Sequence, residues 1–161
     1  MNRYDRLIID GYNLLHKWEP GENGAFAGGL AAARHRLVRF IEHTARTLAD
    51  RTVIVFDGRA EGTDEALSAP DLEILFSGDG CSADALIERL VARVAGEART
   101  LVVTSDRAER RIVLGAGAQA MSAAEFLDRC RTAARRTPPP APPRRLGDLF
   151  PTPPDPSRRN H

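Results

Sequence analysis

The stretch RLIIDGYNLLHKW, Arg6 to Trp18, sets the reading of the chain, because a run of branched apolar residues stops at an aspartate, a glycine and an asparagine. Leu7, Ile8 and Ile9 show no polar alternation, which predicts a strand covered on both faces, as in a parallel sheet. A carboxylate beside such a buried element is costly unless something compensates it. Asp10 therefore either caps a turn or faces a cation, and the stretch alone leaves both open.

Two further runs end in the same way: VIVFD at Val53 to Asp57 and LVVTSD at Leu101 to Asp106. A fourth apolar run, LEILF at Leu72 to Phe76, is also expected to be a strand. Between these runs, Leu30, Leu37, Phe40, Ile41 and Leu48 mark one helical stripe, and Ala85, Leu86, Leu90 and Val94 mark another. Strands alternating with helices predict an α/β fold. A further helix is expected through RAERRIVLG, with Gly115 as its stop, then a short strand in AQAMS. The last helix begins at SAAE, where Ser122 and Glu125 form a capping-box signature.

At 161 residues the chain suits one domain, expected over residues 1–136. From Thr137 onward the proline-rich TPPPAPPRRLGDLFPTPPDPSRRNH, residues 137–161, cannot extend a helix or join a sheet interior and is expected to be an extended, flexible tail. Its apolar insert RRLGDLF is a docking motif, a segment folded back on the domain, or simply an unstructured end. Acidic and basic residues nearly cancel, 22 against 23, so overall charge marks no polyanion binder. Lys17 is the single lysine, an arginine bias that genome composition explains as well as phosphate recognition does. Cys81 and Cys130 lie far apart without CxxC spacing, the N-terminal apolar run is too short for a signal peptide, and no stretch reaches membrane-spanning length. A cytoplasmic, reduced protein with no membrane partner is the expectation.

In an open parallel sheet, functional groups gather in the crevice beyond the carboxyl ends of the strands. Asp10, Asp57 and Asp106 follow strand-like runs and are expected to share that edge, with Asp84 in the first turn of the helix that follows SGDGCS. Each has a structural reading: Asp84 as a cap, Asp57 as the opening of a turn before Gly58. Together they repel, so protons or a cation must compensate. Oxygen ligands of this kind suit Mg²⁺ or Mn²⁺, whereas Cys81 and the four histidines offer no tetrahedral zinc spacing.

Two other chemistries fail on spacing. GAGAQA at Gly115 to Ala120 follows a helical pattern rather than a strand, so it is no dinucleotide fingerprint. An aspartyl-nucleophile phosphatase would want a second acid two residues after Asp10, where Tyr12 stands.

The ordered set IIDGYNLL, VIVFDG, SADALIERL and TSDRAER resembles the YacP-like branch of the NYN domains, over roughly Tyr4 to Leu127. That branch includes ribosome-associated bacterial endoribonucleases. The resemblance implies a three-layer PIN-like fold with a mainly parallel central sheet, and a metal-dependent endoribonuclease acting on RNA, with the ribosome as a further partner. It implies Asp10, Asp84 and Asp106 as catalytic metal ligands, and Asp57 as a ligand or a neighbour that supports one. Asn13 is then expected to hold a ligand, a water or a phosphate, and Ser105 to orient Asp106. The chain departs from the SDxxEQ pattern of such relatives at Arg110, which puts substrate contacts on that helix in question. Arg59, Arg110 and Arg111 are candidates for holding RNA phosphates, while Arg34, Arg36, Arg39 and Arg46 read as a solvated helix face. Tyr12 and Trp18 suit base stacking or core packing. The rival from another class is a non-catalytic RNA- or ribosome-binding module that keeps the fold and the acids.

Overall fold

The computed structural model describes residues 3–19, 26–58, 62–63 and 67–136. Strand β1 (Tyr4–Asp10) passes directly into α1 (Gly11–Trp18), and α2 (Gly29–Leu48) returns the chain to β2 (Ala49–Phe56). The short β3 (Gly62–Thr63) precedes β4 (Leu72–Phe76), α3 (Ala83–Arg93) and β5 (Thr100–Val103). Then come α4 (Arg107–Gly115), β6 (Gln119–Met121) and α5 (Ala123–Arg136). The tail expected over residues 137–161 lies outside the described residues.

The sheet order is β3-β4-β2-β1-β5-β6. β4, β2, β1, β5 and β6 are parallel to their neighbours, and only β3 pairs antiparallel, at the β4 edge. The unbroken apolar runs are explained by two covered faces. Leu7 and Ile9 of β1 join Ile54, Phe56, Leu101 and Val103 beneath α1, α2 and α5, whereas Ile8 joins Val55 and Val102 beneath α3 and α4. The side-chain period of two thus feeds two cores from one strand. Three layers result.

Two differences from the sequence reading follow from packing. The apolar stripe of α3 is rotated by about one position: Ala83, Ile87 and Val91 are buried, while Leu86 and Leu90 are only partly covered. GYNLLHKW forms a helix of its own, whose Leu14 and Leu15 are fully buried. Its start is tight. A Cβ on Gly11 would lie 2.5–2.8 Å from atoms of the Phe56 ring, so only glycine lets the chain turn this closely over β2. The same holds after β2, where a Cβ on Gly58 would meet Phe76 at 2.8 Å.

The topology locates the crevice. From central β1 the chain moves to β2 and β4 on one side, then crosses to β5 and β6 on the other. The carboxyl ends of β1 and β5 therefore flank the point where the winding reverses, the place where open α/β sheets bind ligands.

Candidate metal centre

Asp10 answers the question its position raises, because it is a cap as well as a buried acid. Its Oδ1 accepts the backbone N–H of Asn13 at 3.1 Å, which starts α1, yet the residue is only 8 % exposed. Asp84, in the first turn of α3, and Glu109, in the first turn of α4, converge on it from the opposite face of the sheet. Ligand oxygens of Asp10, Asp84 and Glu109 all lie within 4.8 Å of one another. Among the described residues this is the one such group of potential metal ligands.

The electrostatics mark the group as unsatisfied. Asp10 is pushed up to about 6, mainly by burial, against the Asn13 N–H that favours its charged form, with Asp84, Asp57 and Asp106 adding repulsion. Glu109 is pushed up to about 7, again mainly by burial, with repulsion from Asp10, Asp84 and Asp106. Neither Glu109 carboxylate oxygen has a hydrogen-bond partner, although both are buried. The Thr104 side chain lies close enough to offset part of the rise without completing a hydrogen bond. Asp84 is raised by burial and then by Asp106 and Asp57. Buried oxygens without donors are what a cation would satisfy, and an all-carboxylate set fits a hard ion such as Mg²⁺ or Mn²⁺.

The remaining expected residues frame this group. Asp57 accepts from the Ser77 hydroxyl at 3.0 Å and from the Ala83 N–H at 2.7 Å, so it holds the start of α3, which carries Asp84. Asp106 caps α4, its Oδ1 accepting the N–H groups of Ala108 at 2.8 Å and Glu109 at 2.9 Å. It stands outside the close group while its charge acts on all three members. Asn13 Oδ1 accepts the Ser105 N–H at 3.0 Å, tying the start of α1 to the segment after β5. Ser105 does not orient Asp106 through its hydroxyl, which instead accepts the Ala123 N–H at 3.2 Å; the Thr104 hydroxyl accepts the Asp106 N–H. On α4, Arg110 is half-buried and Arg111 exposed, and Arg59 lies outside the described residues.

Tyr12 packs its edge against Phe56, with centroids 5.1 Å apart, and Trp18 stacks on Phe40 at 5.3 Å. Both aromatics belong to the packing of α1. Both cysteines are free thiols. No helix of the described residues is long and apolar enough to cross a membrane.

Sequence reasoning missed Glu109. The signal was present: TSDRAER places an acid three residues after Asp106, one helical turn into α4. It reads as a surface charge among arginines, and only the packing of α4 against the sheet turns it inward, to 2 % exposure.

Comparison with known proteins agrees with this architecture. The family model for the YacP-like NYN domain matches residues 7–139. The protein YacP of Bacillus subtilis is 30% identical over 134 residues, covering 82% of this chain and 78% of its own. A crystal structure of a tryptophan-to-leucine mutant of Rae1 (YacP) from Bacillus subtilis superimposes with a TM-score of 0.65 at 30% identity, covering 82% of this chain and 78% of that one. A second crystal structure of Rae1 (YacP) gives a TM-score of 0.63 at 27% identity, over 84% and 77% of the two chains.

Proposed function

The chain belongs to the YacP-like NYN domain family, within the PIN-like nucleases, and from that premise we propose that it is a metal-dependent endoribonuclease that hydrolyses RNA phosphodiester bonds. The observation that carries the proposal is the convergence of Asp10, Asp84 and Glu109 within 4.8 Å, with both Glu109 oxygens buried and unpartnered. A divalent ion held by these three would supply the positive charge that activates water and offsets charge developing on the scissile phosphate.

The protein's own residues do the positioning. Asp10 presents its carboxylate from the end of β1, fixed by the Asn13 N–H. Asp57 and Asp106 anchor the starts of α3 and α4, and so aim Asp84 and Glu109 at Asp10. The proposal assigns Arg110, half-buried on α4, and Arg111, exposed on it, to RNA phosphates. The proposal includes Mg²⁺ or Mn²⁺ as the ion, a cytoplasmic location and RNA on the ribosome as a setting for cleavage. Cosedimentation with ribosomes checks the last of these.

The central test incubates purified protein with single-stranded and structured RNA, in Mn²⁺, in Mg²⁺ and in chelator. Cleavage that requires the ion and is lost in Asp84→Asn is expected. RNA binding without cleavage under every condition would replace the nuclease by a binding module.

A further inference from the structure

Four arginines punctuate α2, and three of them have carboxylate partners. Arg36 pairs with Glu19 at 2.9 Å, Arg39 approaches Glu42 at 3.8 Å, and Arg46 joins Glu42 and Asp71 at 2.8 and 2.7 Å. Arg34 has no acidic partner among the described residues. Its guanidinium instead lies over two rings, 5.2 Å from the Phe76 centroid and 5.7 Å from that of Phe56. Nη1 makes a long 3.5 Å contact to the Tyr12 hydroxyl, and Nε is buried without a partner. Ring faces attract the cation but leave its N–H groups unsatisfied, and a buried donor without an acceptor is costly.

Phe56 is followed by Asp57, and Phe76 by Ser77, which donates to Asp57. Gly11, directly after Asp10, lies against the same Phe56 ring. Arg34 therefore lies over the carboxyl ends of β2 and β4, on the α2 side of the edge that carries the acids, while Asp84 and Glu109 approach from the α3 and α4 side. A strand of RNA approaching those carboxylates is repelled by them, and a cation held rigidly at the rim supplies the opposing attraction. The planar guanidinium fork suits phosphate oxygens, and contact with two rings restrains its position in advance.

We propose that Arg34, held against the rings of Phe56 and Phe76, is a phosphate-binding residue that grips the RNA backbone next to the bond presented to Asp10, Asp84 and Glu109. The inference rests on the endoribonuclease reading for the identity of its ligand.

The experiment uses the full chain and a fluorescently labelled single-stranded RNA oligonucleotide. Affinity is measured by anisotropy in Ca²⁺ over a range of salt, and cleavage is measured in Mn²⁺. Arg34→Gln keeps a polar stem over the rings and removes the charge. It is expected to raise Kd about tenfold or more, to reduce the slope of log affinity against log salt by about 0.7, as for one lost phosphate contact on a single strand, and to raise KM with little change in kcat. Mn²⁺ binding without RNA should be unchanged, a result a disturbed acidic cluster would not give. Arg34→Lys restores the charge without the fork, so the salt slope should return while affinity recovers only in part. Wild-type affinity and slope in a folded Arg34→Gln protein would overturn the inference; should that variant not fold, wild-type affinity in Arg34→Lys would do so. Wild-type protein that cleaves RNA regardless of residue 34 removes this inference and leaves the nuclease reading intact. Binding that depends on Arg34 without any cleavage does the reverse.

Discussion

Glu109 and Asp106 stand three residues apart, and they divide two tasks that the pattern of the sequence assigns to one. Asp106 has its Oδ1 committed to two N–H groups of α4, whereas both oxygens of Glu109 are buried without donors. Glu109→Gln should therefore weaken Mn²⁺ binding and cut RNA cleavage by at least the roughly 10–100-fold typical of groups one bond further from a metal. Asp106→Asn, which keeps a good capping residue, should cost less. Calorimetric Mn²⁺ titration of the two variants checks this, and a larger loss in Asp106→Asn would return the ligand role to that residue. Asp10, Asp57, Asp84 and Asp106 were readable in advance because each closes a strand-like run or opens a helix. Glu109 was not, since its inward turn depends on how α4 lies on the sheet. Arg34 was hidden for the same reason. In sequence it reads as one more arginine of a helix whose other arginines pair at the surface, and the two rings beneath it set it apart.

The strands were predictable from their unbroken β-branched runs, and α2, α4 and α5 from periodicity and end signals. Ser122 does accept the Glu125 N–H at 3.1 Å, although Glu125 itself turns to Arg129. The helix α1 escaped, because DGYN reads as a turn and eight residues show little period. What makes it a helix is tertiary: Asp10 caps it, Gly11 slides under Phe56, and Asn13 fastens it to Ser105. Gly11→Ala should therefore destabilise by about 1–3 kcal/mol, the range for overpacking a filled core. Chemical denaturation of the chelated protein measures this, and an unchanged midpoint would show that the Phe56 ring moves aside without strain. At the start of α3 the corresponding anchor is Asp57. Asp57→Ala removes the acceptor for the Ala83 N–H and the Ser77 hydroxyl. Leaving these donors without their acceptor costs about 1–3 kcal/mol. Because α3 carries Asp84, Mn²⁺ affinity should fall with stability, whereas a variant that loses stability alone would confine Asp57 to a structural part.

Seen across the molecule, a sheet that buries acids at one edge disfavours their charged forms in the metal-free state, first by burial and then by mutual repulsion, and this sets the pH dependence of stability. Asp10 is raised to about 6 and Glu109 to about 7, both above ordinary carboxyl values near 4 that hold in the unfolded chain. The native state therefore binds protons more tightly than the unfolded one. The stabilisation this gives is fully present below about pH 4 and is lost as pH rises through the native values, between about 6 and 7. In chelator, and at constant ionic strength, the thermal midpoint should fall between pH 5.5 and 8 as Asp10 and Glu109 ionise where they are buried, beside the charge of Asp84. Each tenfold difference in proton affinity between the folded and unfolded chain is worth about 1.4 kcal/mol, so Asp10 alone contributes about 3 kcal/mol at most. Millimolar Mn²⁺ should act in the opposite sense, since an ion that binds only the native state stabilises it and competes with the same protons. Its effect on the midpoint should be small at pH 5.5 and large at pH 8, so that the two curves diverge as pH rises. Scanning fluorimetry across that range, with and without the ion, reads both curves. Parallel curves would mean that the ion binds away from the titrating acids, and a flat chelated curve would mean that folding does not raise their proton affinity. Divergence would tie the metal to the edge where β1 ends and the winding reverses.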